Sequence, residues 1–429
     1  MADAVAFPPR RRSTGSRFPW VVFTLAFALL LSDFMCRQVL VAVFPFLKAE
    51  WALSDTQLGA LSSVVAFTVA VLTVPLSVLG DRFGRRRAVL LMAALWSLAT
   101  LGSAVAAGYG QLLGARALVG VGEAAYGSVG LALVLGLFPA SRRATLAGAF
   151  TAGSAFGAVL GIALGGVLAS RWGWRWAVAA VAVLGIVLLL LFRRLVSDDQ
   201  LARHEQLDTV DGPPGIRPRA RLSAVLSPPT VLCTYLGNGL QLFVAGSLLA
   251  WLPSYLNRAY GLAAGVAAVL AAGLLLFIGI GMIGCGIVTD RLTRTRPRSR
   301  WSTATAIAYA SASLVLLGGG FALPVGPPQL VLLGAGAFFA AGTSGPAGAL
   351  VAELTPASIR ASSLGVLALA NNLVGLAAGP LVTGALADRF GLPTALQIVP
   401  VVSLAAAGVF AVGRRLSSER VGSPTNQPA

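Results

Sequence analysis

Histidine occurs once in the 429 residues, as His204, and cysteine three times, as Cys36, Cys233 and Cys285. With no histidine in any apolar stretch, a Ser/His nucleophile or a zinc site within those stretches is excluded. The three cysteines lie far apart in apolar segments, a spacing that excludes a disulfide framework. They read as small buried hydrophobes. No metal and no cofactor is expected. Lysine also occurs once, as Lys48, and only 15 residues are acidic. Charged residues make up 11% of the chain, where a soluble protein carries about 25%. Most of this chain therefore does not face water.

What is present is apolar or arginine. Hydrophobic residues reach 57%, there are 50 glycines, and the formal net charge is +17. Such a charge on a soluble domain would suggest nucleic acid. Here the arginines sit in short connections between apolar runs, so no nucleic-acid partner is expected and the charge is a topology signal. Arg10, Arg11 and Arg12 precede an apolar run from Phe18 to about Pro45. A signal peptide has an apolar region of about 7–15 residues, so this run reads as a retained first helix.

A membrane span needs about 20 mostly apolar residues. Twelve stretches qualify: 19–47, 55–80, 88–108, 110–138, 143–169, 175–196, 228–257, 262–289, 301–322, 328–353, 360–387 and 392–414. The expected fold is an all-α membrane protein of twelve transmembrane helices in two six-helix, pseudo-repeated bundles. The expected division is a cytoplasmic tail over 1–18, a first bundle over 19–196, a polar connector over 197–227, a second bundle over 228–414 and a tail over 415–429. The two tails and the even-numbered connections hold 25 of the 32 Lys and Arg residues, and the odd-numbered connections hold 5. The positive-inside rule then places both termini in the cytoplasm, in an inner (plasma) membrane.

An internal repeat supports two halves. Pro139-Ala-Ser-Arg-Arg143-Ala144 opens the fifth span, and Pro356-Ala-Ser-Ile-Arg360-Ala361 opens the eleventh, 217 residues later. With one residue inserted, Gly157, Gly161, Gly166, Arg171 and Gly173 match Gly375, Gly379, Gly384, Arg389 and Gly391. Parallel six-helix repeats are a transporter architecture with the site at mid-depth between the halves. The fifth span also carries Gly153, Gly157, Gly161 and Gly165 at four-residue spacing, a close-packing face. Gly379-Pro380 is placed to kink the eleventh span.

Ionisable groups inside spans are the most telling residues, because a charge at the bilayer centre costs about 2.5–3.5 kcal/mol. The first span holds Asp33 and Arg37, the fourth Arg116 and Glu123. Each pair shares one helix face. Counting rise along the helices puts Asp33 and Glu123 near mid-depth and the two arginines together toward the outer side. That arrangement offers an anion site at Arg37 and Arg116 and proton carriers at Asp33 and Glu123. A structural ion-pair cluster joining the two helices is the other reading. The second half has no central charge, only Tyr235, Asn238, Gln241, Ser344, Asn371 and Asn372. Tyr126, Asn238, Gln241 and Asn371 join the two arginines as substrate-binding candidates. Phe243, Trp251 and Tyr255 are candidates for an apolar wall or for core packing. One charged wall and one apolar wall suit an amphipathic anion better than a sugar.

The connection Gly80-Asp81-Arg82-Phe83-Gly84-Arg85-Arg86-Arg87 resembles the signature loop of the major facilitator superfamily. Gly286-Ile-Val-Thr-Asp290-Arg291-Leu-Thr-Arg294 resembles its second copy. Ser77 stands where the family has its leading glycine. Asp81, Arg82, Arg85, Arg86, Asp290 and Arg291 are candidates for a conformational latch, since a carboxylate at a helix end binds arginines and neighbouring helix N-termini. Arg116-Ala-Leu-Val-Gly120-Val-Gly122-Glu123-Ala-Ala-Tyr126, with Leu137-Phe138-Pro139 and Trp172-Gly-Trp-Arg175-Trp176, resembles the Spinster branch of that superfamily. The resemblance covers most of the first half, and its Gly-Glu-Ala core also occurs in organic-anion symporters. It implies proton-linked carriage of lysophospholipids or sphingoid phosphates, with functional roles for Arg116 and Glu123. In the first span Arg37 fits the branch's arginine, but Cys36 occupies its aspartate position, with Asp33 one turn away.

The expected function is secondary active, proton-coupled transport of an amphipathic anion, most simply a lysophospholipid or sphingoid-phosphate-like lipid, by a monomer. The alternative is a proton-coupled small organic-anion symporter or a drug/proton exporter. An intramembrane enzyme would need a nucleophile and base, or catalytic aspartates, for which only Asp33 and Glu123 could serve. The repeat and the loop motifs argue against it, so no enzymatic activity is expected.

Overall fold

The structure, a computed structural model, describes residues 17–205, 229–294, 298–356 and 359–422. The side chains of Asp81 and Arg82 lie outside the described set, as do most of the N-tail, the end of the C-tail and most of the connector expected over 197–227. Among the described residues, twelve helices are long and apolar enough to cross a membrane. In chain order they are α1 Phe18–Ala42, α2 Asp55–Ser77, α3 Arg85–Ala104, α4 Tyr109–Leu135, α5 Thr145–Trp172, α6 Trp174–Leu195, α7 Pro229–Ala259, α8 Ala264–Thr293, α9 Ser299–Ala322, α10 Pro327–Leu354, α11 Ser362–Phe390 and α12 Leu392–Leu416.

The repeat seen in the sequence has a backbone cause. α5 passes to α6 through Gly173 at φ 89°, and α11 passes to α12 through Gly391 at φ 82°. Side chains avoid that region, so each copy of the turn keeps a glycine. The glycine stripe of α5 docks on α1. A methyl group on Gly157 would stand 2.5 Å from the Leu31 carbonyl oxygen, and one on Gly161 would stand 2.9 Å from Met35 Cα. Gly153 faces Phe27 and Gly165 faces Val39. The four-residue spacing thus runs the length of α1 and brings the two backbones together.

Several helices depart from regularity. α1 closes at Ala42 rather than near 47, and a short helix, Phe44–Trp51, follows with Pro45 in its first turn. Proline supplies no N–H to continue the previous helix. α4 is interrupted at Ala124–Ala125, directly after Glu123, and α10 between Ala340 and Ser344. In α11 the departure falls before Gly379-Pro380, as a wide turn over Asn371–Ala377. The Pro380 ring displaces the carbonyl four residues earlier, at Leu376, which lies inside that wide turn.

The two halves are sealed at the end remote from the chain termini. Asp55, at the start of α2, takes both guanidinium nitrogens of Arg258 from α7 at 2.8 and 2.7 Å and Lys48 Nζ at 2.6 Å. Asp388, near the end of α11, accepts from the backbone N–H groups of Asp55 and Thr56 at 2.7 and 2.8 Å. A carboxylate on the first N–H groups of a helix satisfies donors that the helix itself cannot. Small residues bring the strands of this seal together: Gly59 packs on the Pro380 carbonyl and Gly384 on that of Asp55. Beside it, the Arg175 guanidinium and the Trp174 indole hold Glu50 below the usual glutamate range.

Two outcomes follow. Gly157→Val should destabilise the protein by about 1–3 kcal/mol, read as a lower midpoint of thermal unfolding in detergent. Gly148→Ala, where nothing lies within 4 Å of the added methyl, should leave that midpoint unchanged. Arg258→Ala removes the bidentate partner of Asp55, which keeps Lys48, a loss of about 1.5–3 kcal/mol. A cysteine introduced at Gln38 should then react faster with an impermeant maleimide added from the sealed side.

Candidate functional site

A cavity of about 180 Å³ lies between the halves. The first half gives it Phe34, Arg37 and Gln38 from α1, Ser62 from α2 and Ser154 from α5. The second half gives it only apolar groups, among them Leu249 and Ala250 of α7, Leu275 and Met282 of α8, and Leu376 of α11. One wall therefore carries a cation and hydroxyls, and the facing wall carries none.

Behind Arg37 lie the other three buried charges. Arg37 donates to Glu123 Oε2 through Nε at 2.9 Å and Nη2 at 2.6 Å. Arg116, 1% exposed, donates to the backbone carbonyls of Cys36 at 2.9 Å and Arg37 at 3.1 Å. Asp33 is buried, one turn before Arg37 on α1. The arginines thus do not share one level apart from the carboxylates, as helix rise alone suggested. Side chains lean toward the N-terminus of their own helix. α1 and α4 run in opposite directions, so Arg37 leans toward Asp33 and Glu123 leans to meet it. Arg116, on the same helix as Glu123, reaches the carbonyls of α1 instead. Of the two arginines only Arg37 lines the cavity. Arg116 joins α1 to α4.

The remaining substrate-binding candidates also lie off the cavity wall. Tyr126 is fully buried and donates to the Ala26 carbonyl at 2.7 Å. Asn238 is fully buried, donates to Asn371 Oδ1 at 2.8 Å and accepts from Thr343 at 2.7 Å. That amide bridge ties α7 to the interruption of α10 and to the first residue of the wide turn in α11. Gln241 is fully buried with neither amide atom hydrogen-bonded. Trp251 is buried and donates to the Pro380 carbonyl at 2.9 Å. Phe243 and Tyr255 are core residues as well, and α7 turns Gly246, Leu249 and Ala250 to the cavity instead.

Arg86, one of the six latch candidates, makes its contacts inside one half. It donates to the carbonyls of Val196 at 2.5 Å and Arg193 at 3.2 Å and to Asp198 at 3.0 Å, so it caps the end of α6 and holds the helix Asp198–Glu205. Asp290 is engaged and Arg85 likewise. Arg291 is exposed, and the side chains of Asp81 and Arg82 are outside the described set. Sequence reasoning missed the neutral wall residues Gln38, Ser62 and Ser154, which carry no signal that separates them from helix packing. It also missed the seal, although Lys48, Asp55, Arg258 and Asp388 are complementary charges at span ends that are otherwise poor in charge.

Known proteins align with this architecture. A human protein, spinster homolog 1, is 32% identical over 260 residues, which is 58% of this chain and 48% of that protein. The chain spans about half the length of that relative. The hexuronate transporter of Bacillus subtilis (strain 168) is 24% identical over 380 residues, 87% of this chain and 89% of that one. A crystal structure of a bacterial homolog of the human lysosomal transporter Spinster superposes with a TM-score of 0.82 at 20% identity, covering 96% of this chain and 100% of that one. The model of the Major Facilitator Superfamily matches residues 25–327, so this integral multi-pass membrane protein belongs to the major facilitator superfamily of transporters.

Proposed function

We propose that the protein is a proton-coupled secondary transporter that moves an amphipathic anion by alternating access, with both termini cytoplasmic in the inner membrane. The favoured substrate is a single-chain lipid such as a lysophospholipid or a sphingoid-phosphate-like lipid. The observation that carries this reading is the position of Arg37, on the cavity wall and bonded behind it to Glu123. An anion entering the cavity competes with Glu123 for the same guanidinium. Once Glu123 loses that partner, its charge stands unpaired in the interior, and a proton arriving there neutralises it. Release of the proton lets Glu123 reclaim Arg37 and expel the anion. Substrate and proton are coupled because they exchange one cation between them. The apolar second-half wall receives the hydrocarbon part. Charge-assisted contacts at Asp55 and Asp388 close the far end in this state, and parting them is the step that exposes the cavity to the other side. The family likeness to spinster homolog 1 supports the lipid class.

A second reading is a proton-coupled carrier of small organic anions. It is favoured by the cavity volume of about 180 Å³, which suits a headgroup better than a whole lipid, and by the alignment with a hexuronate transporter along most of the chain.

Glu123→Gln should abolish flux driven by a pH gradient in proteoliposomes while the protein still folds. Normal flux in that variant would remove Glu123 from the mechanism. Arg37→Ala should weaken substrate binding about tenfold or more, measured by titration of labelled lysophospholipid. Arg116→Ala should instead lower the unfolding midpoint with a smaller effect on affinity, and a reversed order between the two arginines would contradict the assignment.

A further inference from the structure

Two neutral groups on the charged wall have no part in holding an anion. Gln38 follows Arg37 on α1 and lines the cavity. It is 9% exposed, and its Oε1 is buried with no hydrogen-bond partner. Ser62 brings α2 to the same cavity, and its hydroxyl oxygen is likewise buried without a partner. α5 packs against the base of the Gln38 side chain, where a methyl on Gly161 would stand 3.2 Å from Cβ, and the amide is left to the cavity. The third polar residue of this wall, Ser154, already donates to the Thr151 carbonyl at 2.7 Å. The side chains of the second-half wall are apolar and offer neither group a partner.

A buried polar atom without a partner carries a free-energy penalty until something pairs with it. A ligand hydroxyl meets both needs here. It donates and accepts at once, so it pairs with either atom of the Gln38 amide and with the Ser62 hydroxyl. A carbonyl only accepts and an ammonium only donates. Consecutive Cα atoms lie about 3.8 Å apart, so the group that meets Gln38 is close to the anion held by Arg37.

We infer that Gln38 and Ser62 form a hydroxyl-recognition subsite beside Arg37, and that the ligand is an anion with a free hydroxyl within a few bonds of its charge. This rests on the proposed transport of an amphipathic anion and narrows it. A headgroup bearing a free hydroxyl is accepted. A chain attached directly to a phosphate or carboxylate is disfavoured, and so is a headgroup whose hydroxyl is esterified. An analogue without the hydroxyl leaves Gln38 Oε1 and Ser62 Oγ buried and unpaired under the bound headgroup, and that penalty falls on binding.

The test compares two lipids with the same single acyl chain and the same phosphate, a lysophosphatidate and its analogue lacking the free hydroxyl. Both are titrated onto the purified full chain in detergent. The hydroxyl lipid should bind about tenfold or more tightly. Gln38→Leu together with Ser62→Ala should bring the ratio close to one by weakening the hydroxyl lipid and not the other. Equal binding of the two lipids to the unaltered chain would overturn the subsite while leaving lipid transport standing. An unchanged ratio in the folded double variant would also overturn it, and if that variant does not fold the unaltered chain decides alone. If neither lipid binds, the lipid reading fails, and 3-hydroxybutyrate against butyrate decides the subsite. Tighter binding of the hydroxy acid would support it for small anions, and equal or absent binding of the two acids would overturn it.

Discussion

The contact between Arg37 and Glu123 is the constraint on which the rest of the first half depends. Removing a guanidinium and a carboxylate from water costs several kcal/mol for each ion, and the cost is offset only when geometry and neighbours are right. The surroundings meet that demand from every side. The glycine stripe of α5 brings α1 close enough to be fixed in register. Arg116 reaches from α4 to the carbonyls of α1, so the two helices carrying the ion pair cannot slide past one another without losing charge-assisted bonds. The break in α4 comes directly after Glu123, leaving its carboxylate at the end of a helical segment instead of within a continuous one.

A pair this well supported would simply be structural if it were sealed on all sides. It is not, because Arg37 also forms part of the cavity wall. That exposure is what the proposed exchange rests on, in which an outside anion and an inside carboxylate contend for one cation. The second half offers nothing comparable. Among its described central polar groups, Asn238 bridges Asn371 and Thr343, while the Gln241 amide is buried without a partner. The Asn238 bridge holds the interrupted α10 and the wide turn of α11 together, behind an apolar cavity wall.

The two ends of the bundle differ in the same way. At the far end, Asp55 and Asp388 reach across the halves, to the Arg258 guanidinium and to the first N–H groups of α2 and the Thr56 hydroxyl. Such contacts are strong while dry and weaken once water enters, which suits a gate that must open cooperatively. At the near end, Arg86 is spent within its own half.

Composition and periodicity by themselves determined the membrane class, the number of helices, the two-fold repeat and the four charges that matter. Each of those follows from a local cost: apolar length, the left-handed turn that only glycine makes at Gly173 and Gly391, and the expense of charge at mid-depth. The partners of those charges were decided by tertiary structure alone. Sequence spacing ranks Arg37 and Arg116 as equals, and only the opposed directions of α1 and α4 send one to Glu123 and the other to backbone carbonyls. Nor could spacing show that α7 buries Trp251 and Gln241 and turns Leu249 and Ala250 to the cavity, since neighbours in space choose which face of an all-apolar helix is the inner one. The seal at Asp55 joins residues more than two hundred positions apart, a distance at which the chain carries no local record of the contact.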